Sequence, residues 1–287
     1  MADVTDEKQQ QQVAFAMHTF ERIHHVEFQR RFLTQETRHD GRDFTQFRPT
    51  HVVKGAISTA QGSATVRIGN TTVVCGIKAE VSEPDVNSPD QGYLVTNVEL
   101  PPMCSARFRP GAPSEEAQVA SEHIHRLFNG TAGSKGVVDL RALCIEEGLA
   151  VWSLSADIVC LKYDGNIMDA AIVALMAALE DLGLPSAQLD PATGVVSADR
   201  TKAAPLVLNK RLFPATFSLL DDAYLVADAD DAEEQMATAS LLVVLDASNR
   251  GALANMWKRG AGRVSSQTIH KCIDCAAQRM EALIKTL

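Results

Sequence analysis

Apolar positions along this chain repeat with two different periods, and the changes of period divide it into elements. From about Val13 to Leu33, Phe15, His18, Arg22 and Val26 fall on successive turns with no Gly or Pro between them. That spacing predicts a helix leading into the fold, behind ten or so unordered residues. At Val52 the texture becomes β-branched. Val52–Thr59, Ser63–Ile68 and Thr71–Glu80, separated by Ala60-Gln61-Gly62 and Gly69-Asn70, read as a three-stranded meander. Leu94–Leu100 is a further short strand. Pro101, Pro102, Pro110 and Pro113 then exclude a ladder or helix, so Pro101–Ser114 is a loop. Glu115–Phe128 carries Ala117, Ala120, Ile124, Leu127 and Phe128 at helical spacing, with Glu115 and Glu116 in the first turn, where the helix dipole favours anions.

Leu149–Leu161 reads as a long apolar strand. Asp164-Gly165-Asn166 turns it into a helix over Ile167–Leu182, which Gly183 and Pro185 stop. Short β-type runs follow at Leu206–Leu208, Ala215–Leu220, Tyr224–Ala227, Ser240–Leu245 and Ala252–Trp257. A final helix near Ser265–Leu287 holds Ile269, Cys272, Ala276, Met280 and Leu283 on one stripe. Strands followed by a helix thus occur twice, which predicts an α+β protein of two similar lobes with sheets packed against helices. The expected division is an N-terminal extension over 1–31, a first lobe over 32–185, a linker over 186–203 and a second lobe over 204–287.

Composition narrows the chemistry. The 287 residues carry a formal net charge of −9, so bulk attraction to nucleic acid or anionic membrane is excluded and any phosphate contact is local. Six scattered cysteines at 75, 104, 144, 160, 272 and 275 fit reduced thiols in a cytosolic or nuclear protein. Met1–Gln12 is acidic and Gln-rich, unlike a secretory or transit peptide. The longest apolar stretch, Ile167–Leu182, contains Asp169, Glu180 and Asp181 and is short for a membrane span, so it reads as a buried helix.

Several motif-like stretches carry little. Gly130–Gly136 has the composition of a phosphate-binding loop in the wrong register and reads as a surface loop. Cys272 and Cys275 lie within a predicted helix without a second pair, so they read as two buried helix-face thiols. His123 and His125 fall on different helix faces and cannot share a metal, so they read as solvent-facing or capping groups. Asp228–Glu234 lacks the glycine of a calcium loop and reads as a solvated helix start. No metal and no cofactor is expected.

Four segments together resemble the RNase PH family: Arg38-His-Asp-Gly-Arg42, Gly62–Ala79 with its Gly69-Asn-Thr-Thr turn, Asn97–Pro102, and Asp164-Gly-Asn166 opening an Ala-rich helix. Leu208–Arg211 and Asp228–Glu234 continue the match over roughly Phe32–Ile284. Within that family, Leu100–Arg109 followed by Glu115–Ser121 is similar to the non-catalytic RNase-PH-like subunits of the eukaryotic RNA exosome ring. The resemblance implies an RNase PH-like fold and a place in a six-subunit ring around an RNA channel. It also implies work in 3′–5′ RNA processing and degradation, including rRNA maturation and mRNA turnover. The implied partners are other RNase PH-like ring subunits, cap subunits and single-stranded RNA in the channel, with no membrane, in nucleus, nucleolus and cytoplasm.

Active members of the family are similar in placing Gly-Thr-Arg at the start of the helix after the Asp-Gly turn, to hold the attacking phosphate. Here those positions read Asn166-Ile167-Met168, and Asp169 follows in the first helical turn, where it would satisfy the dipole and repel a phosphate. Acidic residues for proton transfer are missing as well, since no Asp or Glu lies between Asp199 and Asp221. The residues therefore predict a protein without catalytic residues; the alternative is an active phosphate-dependent 3′–5′ exoribonuclease. Arg107 and Arg109, in the Pro-bounded loop, are the candidate RNA-binding residues, against a competing reading as inter-subunit salt bridges. Lys258, Arg259 and Arg263 form a second basic cluster.

Overall fold

The computed structural model describes residues 19–20, 23–130, 135–189 and 196–287. A nine-residue helix, α1 (His25–Leu33), leads in; the earlier part of the predicted helix lies outside the described residues. The first sheet contains β1 (Thr50–Lys54), β2 (Gly62–Ile68), β3 (Thr71–Ser82), β4 (Tyr93–Glu99), β5 (Cys144–Glu146) and β6 (Ala150–Lys162). Its order is β1-β2-β3-β6-β4, with β5 on β6, and only β4 runs parallel to its neighbour. The first strand of the predicted meander stops at Lys54 because Gly55 turns into the left-handed region, φ +69°, where its N–H donates back to Ser63. Helix α2 (Glu115–Asn129) closes the free edge of β4. Ser121 Oγ accepts from Val98 N at 2.8 Å, and Asn129 Nδ2 donates to Leu94 O at 2.9 Å.

The second sheet follows two further strands, β7 (Gly183–Leu189) and β8 (Val196–Pro205). It is built from β9 (Leu212–Leu220), β10 (Tyr224–Ala227), β11 (Ala237–Asp246) and β12 (Ala252–Gly260), all antiparallel in the order β10-β9-β11-β12. Where a linker is expected over 186–203, β7 and β8 pair antiparallel and keep the backbone hydrogen-bonded. The run Leu206–Leu208 forms no strand and makes a single bridge, Val138 to Leu208.

Between the two sheets lies α3 (Ile167–Asp181). Every residue from Asp169 to Leu179 is buried, and the helix packs on β1, β2, β3, β6 and β9. A helix apolar on all sides is stable only inside a core, and each fully buried Ile172, Leu175 or Leu179 contributes about 1.5–3 kcal/mol. The approach is tight: a Cβ on Gly62 would lie 2.5 Å from Ala178 O. The main core runs across both sheets, joining Ile68, Ile77 and Ile158 to Leu212, Phe213, Leu242 and Val244. Helix α5 (Ser266–Ile284) covers the far face of the second sheet, with Cys272 and Ala276 against Leu241, Val243 and Leu245.

A buried ionic network fastens the leading segment to this frame. Asp228 is fully buried and accepts from Arg48 N at 2.8 Å, Arg48 Nε at 2.9 Å, Arg48 Nη2 at 2.9 Å and Asn166 Nδ2, with Arg42 Nη1 at 3.5 Å. Arg38, 1% exposed, pairs through two nitrogens with Glu233 and donates to the carbonyls of Ala227 and Asp228. The stretch Asp228–Glu234 does start a helix, α4 (Asp231–Met236), capped by Asp230 in a capping box with Glu233. It is not solvated, however. Asp228 and Glu233 are buried because arginines of the distant leading segment neutralise them, and buried Asp230 is held by the Glu233 backbone N–H and lies 3.5 Å from His39.

The Arg48 guanidinium and the Asn166 amide hold the Asp228 carboxyl well below the usual carboxylate range despite its burial. A depressed native pKa gives stability that is present above the unfolded value, near 4, and lost as pH falls below it. Asp228→Ala should cost about 3–5 kcal/mol in denaturant unfolding, because it strands buried guanidinium charge. Asp228→Asn should remove this group's share of the acid-side loss of stability.

Candidate functional site

A cleft of about 260 Å³ opens between α2, the start of α3, α4 and the inner face of β9, β11 and β12. Its back wall is the turn before α3. Gly165, φ +73°, sits so close to α4 that a Cβ would lie 2.5 Å from Ala229 O, so only glycine fits. Asn166 follows at φ 54° as the N-cap of α3, its side chain engaged by Asp228 and Asp169.

A 15-residue helix begins here, and its first amides are ready partners for an anion. The anion present is Glu234 of α4. One of its oxygens accepts from Asn166 N at 2.7 Å and the other from Tyr163 OH at 2.6 Å. Burial pushes the Glu234 carboxyl up, against the lowering effect of those two hydrogen bonds, and burial next to Glu234 pushes the Tyr163 hydroxyl far up.

The sequence assigns the carboxylate at this helix start to Asp169, and the structure corrects that. Asp169 turns inward, fully buried, accepting from Thr216 N at 3.1 Å and Thr216 Oγ1 at 2.6 Å, with Arg279 Nη1 at 3.3 Å. Its side chain ties α3 to β9. Met168, where active members of the resembled family place arginine, is a half-buried part of the cleft lining.

Of the two candidate RNA-binding residues, Arg107 sits at the cleft mouth, bound to Glu116 of α2 and, at 3.3 Å, to Asp231 of α4. Its guanidinium also lies 5.8 Å from the rings of Phe108 and Tyr163. Arg109 is exposed and makes no ion pair or hydrogen bond among the described residues. The two arginines are not equivalent: one locks the loop across the cleft and the other faces water. Arg259 lines the opposite wall, while Lys258 and Arg263 lie around a separate groove.

The remaining motifs resolve structurally. His123 is not solvent-facing: its ring stacks on Trp257 of β12, centroids 4.2 Å apart, joining α2 to the second sheet. His125 contacts the Asn129 amide. Cys272 is buried and Cys275 half-buried, both unpaired, and burial pushes the Cys272 thiol up to about 12. In Gly130–Gly136, residues 131–134 lie outside the described residues. His39, Asp230 and Glu233 come within 4.8 Å of one another. Both Glu233 oxygens are held by Arg38, however, and Asp230 Oδ1 caps α4, which leaves fewer donors than a metal site uses.

The cleft therefore holds a helix start whose Asn166 amide is bonded to an internal carboxylate, and comparison with known proteins gives the chain a family. Residues 46–185 match the 3′ exoribonuclease family, domain 1, and residues 213–279 match its domain 2. The chain belongs to the RNase PH family. It is 38% identical over 268 residues to the exosome complex component rrp43 of Schizosaccharomyces pombe, covering 93% of this chain and 97% of that protein. It is 34% identical over 255 residues to the exosome complex component Rrp42 of Methanothermobacter thermautotrophicus, covering 89% and 91%. In three dimensions it is similar to a chain of the Archaeoglobus fulgidus exosome with RNA bound to the active site, with TM-score 0.77 and 27% identity over 90% of this chain and 96% of that one.

Within this RNase PH frame, sequence reasoning missed Glu234 and Asp228. Both lie in the acidic run it set aside, and their partners Asn166 and Arg48 are 68 and 180 positions away. One signal was available: three arginines, Arg38, Arg42 and Arg48, crowd the leading segment and need anions elsewhere.

Burial and the nearby Arg126 hold the His123 imidazole below its ordinary value of 6.5. A histidine with a lowered native pKa gives stability that is complete above its unfolded value and is lost as pH falls below it. His123→Phe keeps a ring on Trp257, so the variant should lose less thermal stability than the parent between neutral pH and pH about 5.5.

Proposed function

We propose that this chain is a structural, non-catalytic subunit of an exosome ring, which pairs with other RNase PH-like subunits and cap subunits and helps guide single-stranded RNA toward 3′–5′ processing and degradation. The observation that carries the non-catalytic part is the Glu234 carboxylate on the Asn166 amide. A phosphate entering there would have to displace an internal carboxylate, with Met168 offering no guanidinium. The exosome components named among its relatives, matched along nearly their whole length, support the ring role. Six unpaired cysteines fit a nuclear, nucleolar or cytoplasmic setting.

Its RNA contact is the loop Pro101–Ser114, where Arg109 is the phosphate-facing residue and Arg107 holds the loop in place through Glu116 and Asp231. Co-expression with RNase PH-like ring subunits should yield a stoichiometric six-subunit particle containing this chain. In that particle Arg109→Glu should lower the salt slope of RNA binding by about one. Phosphate-dependent release of nucleoside diphosphates by the chain alone would overturn the non-catalytic reading and favour an active exoribonuclease.

A further inference from the structure

The strand edges of this molecule are treated unequally. Side chains of α2 close the outer edge of β4, and the outer edge of β10 is met by Phe44, whose carbonyl accepts from Ala227 N at 2.7 Å. β1 is only five residues long. β12 is nine residues long and pairs on one side alone, with β11. Among the described residues no other backbone group bonds to it. A long open edge is a ready template for another strand, and proteins ordinarily shorten or cover such edges.

The face beside that edge is apolar. A bulge between Val244 and Leu245 resets the register, so that Leu253, Met256 and Lys258 stand opposite Leu245, Val243 and Leu241. Those three β11 residues form the core under α5, so the three β12 side chains lie on the α5 side of the sheet. Helix α5 covers β9 and β11. Beyond it, Leu253 and Met256 remain 46% and 43% exposed. A groove of about 540 Å³ runs there, with Met256, Val264 and Ile269 along it and Lys258 and Arg263 at its rim.

The charge pattern identifies the occupant. From Ala247 to Ile273 there is no Asp or Glu, while Arg250, Lys258, Arg259, Arg263 and Lys271 all fall in that stretch, in a chain whose net charge is −9. An edge offering backbone hydrogen bonds, an apolar shelf and local positive charge complements an extended segment that alternates acidic and apolar residues. We propose that β12 is a docking edge at which an acidic, extended segment of a partner protein adds as a further strand. Its apolar side chains would enter the groove beside Met256, and its carboxylates would meet Lys258 and Arg263.

A fluorescent peptide of alternating glutamate and valine, titrated against the full chain and followed by anisotropy, provides the probe. Saturable binding is expected, together with slowed amide hydrogen exchange confined to Ala252–Gly260. The double variant Lys258→Glu, Arg263→Glu should weaken binding at least about tenfold. Both side chains are exposed, so its circular dichroism and melting temperature should match the parent. Lys78→Glu, an exposed charge change on the first sheet, should leave binding unaltered. The proposal is overturned if the peptide does not bind, if the double variant binds equally well, if exchange in β12 is unchanged, or if oligouridylate rather than the peptide is what the double variant loses.

Discussion

A carboxylate cut off from water cannot stay ionised without cations placed around it, and the position of Asp228 at the junction of three elements makes that requirement organise the molecule. Arg48 brings in the leading segment, Asn166 brings in the turn before α3, and the peptide following Asp228 opens α4. Arg38 repeats the arrangement one turn further on, with Glu233. Because these partners come from distant parts of the chain, satisfying the charges fixes how the leading segment, the central helix and the second sheet sit together. Such pairs add little net stability, while removing one member leaves a costly unpaired charge.

The same junction decides the chemistry of the cleft. With α4 anchored by Asp228 and Glu233, Glu234 is delivered to the start of α3, where its carboxylate accepts from the Asn166 amide. The Tyr163 hydroxyl donates to the same carboxylate. Arg107 is likewise balanced by Glu116 and Asp231. An RNase PH fold can therefore keep its core, sheets and cleft while the cleft's polar groups satisfy one another. On the outside, Arg109 stands exposed on its loop and β12 pairs on one side alone among the described residues.

Much of the architecture was legible from residue patterns. The helices over Glu115–Asn129, Ile167–Asp181 and Ser266–Ile284 follow from apolar spacing and capping residues, and the strands around Gly69-Asn70 follow from β-branched runs broken by glycines. β7 and β8 were not legible, because Gly183–Leu189 contains Pro185 and lacks strong alternation, and its pairing is set by neighbours. Periodicity is equally silent on the burial of Asp228, Asp230 and Glu233. A run of acids reads as solvated unless the arginines that neutralise it are known to lie nearby, and those are about 180 to 195 positions away. Met168 at the start of α3 was readable from the sequence, whereas the Glu234 carboxylate on the Asn166 amide required the fold.

The most direct test of the account is the response of the Asn166 amide to inorganic phosphate. In a titration of the isotopically labelled chain followed by nuclear magnetic resonance, the Asn166 N–H resonance should stay fixed through the phosphate range that saturates active RNase PH-type enzymes, because Glu234 already occupies it. The same resonance should shift in Glu234→Ala. A saturable phosphate-dependent shift of Asn166 in the unmodified chain would contradict the account, for it would mean that the anion seat is open.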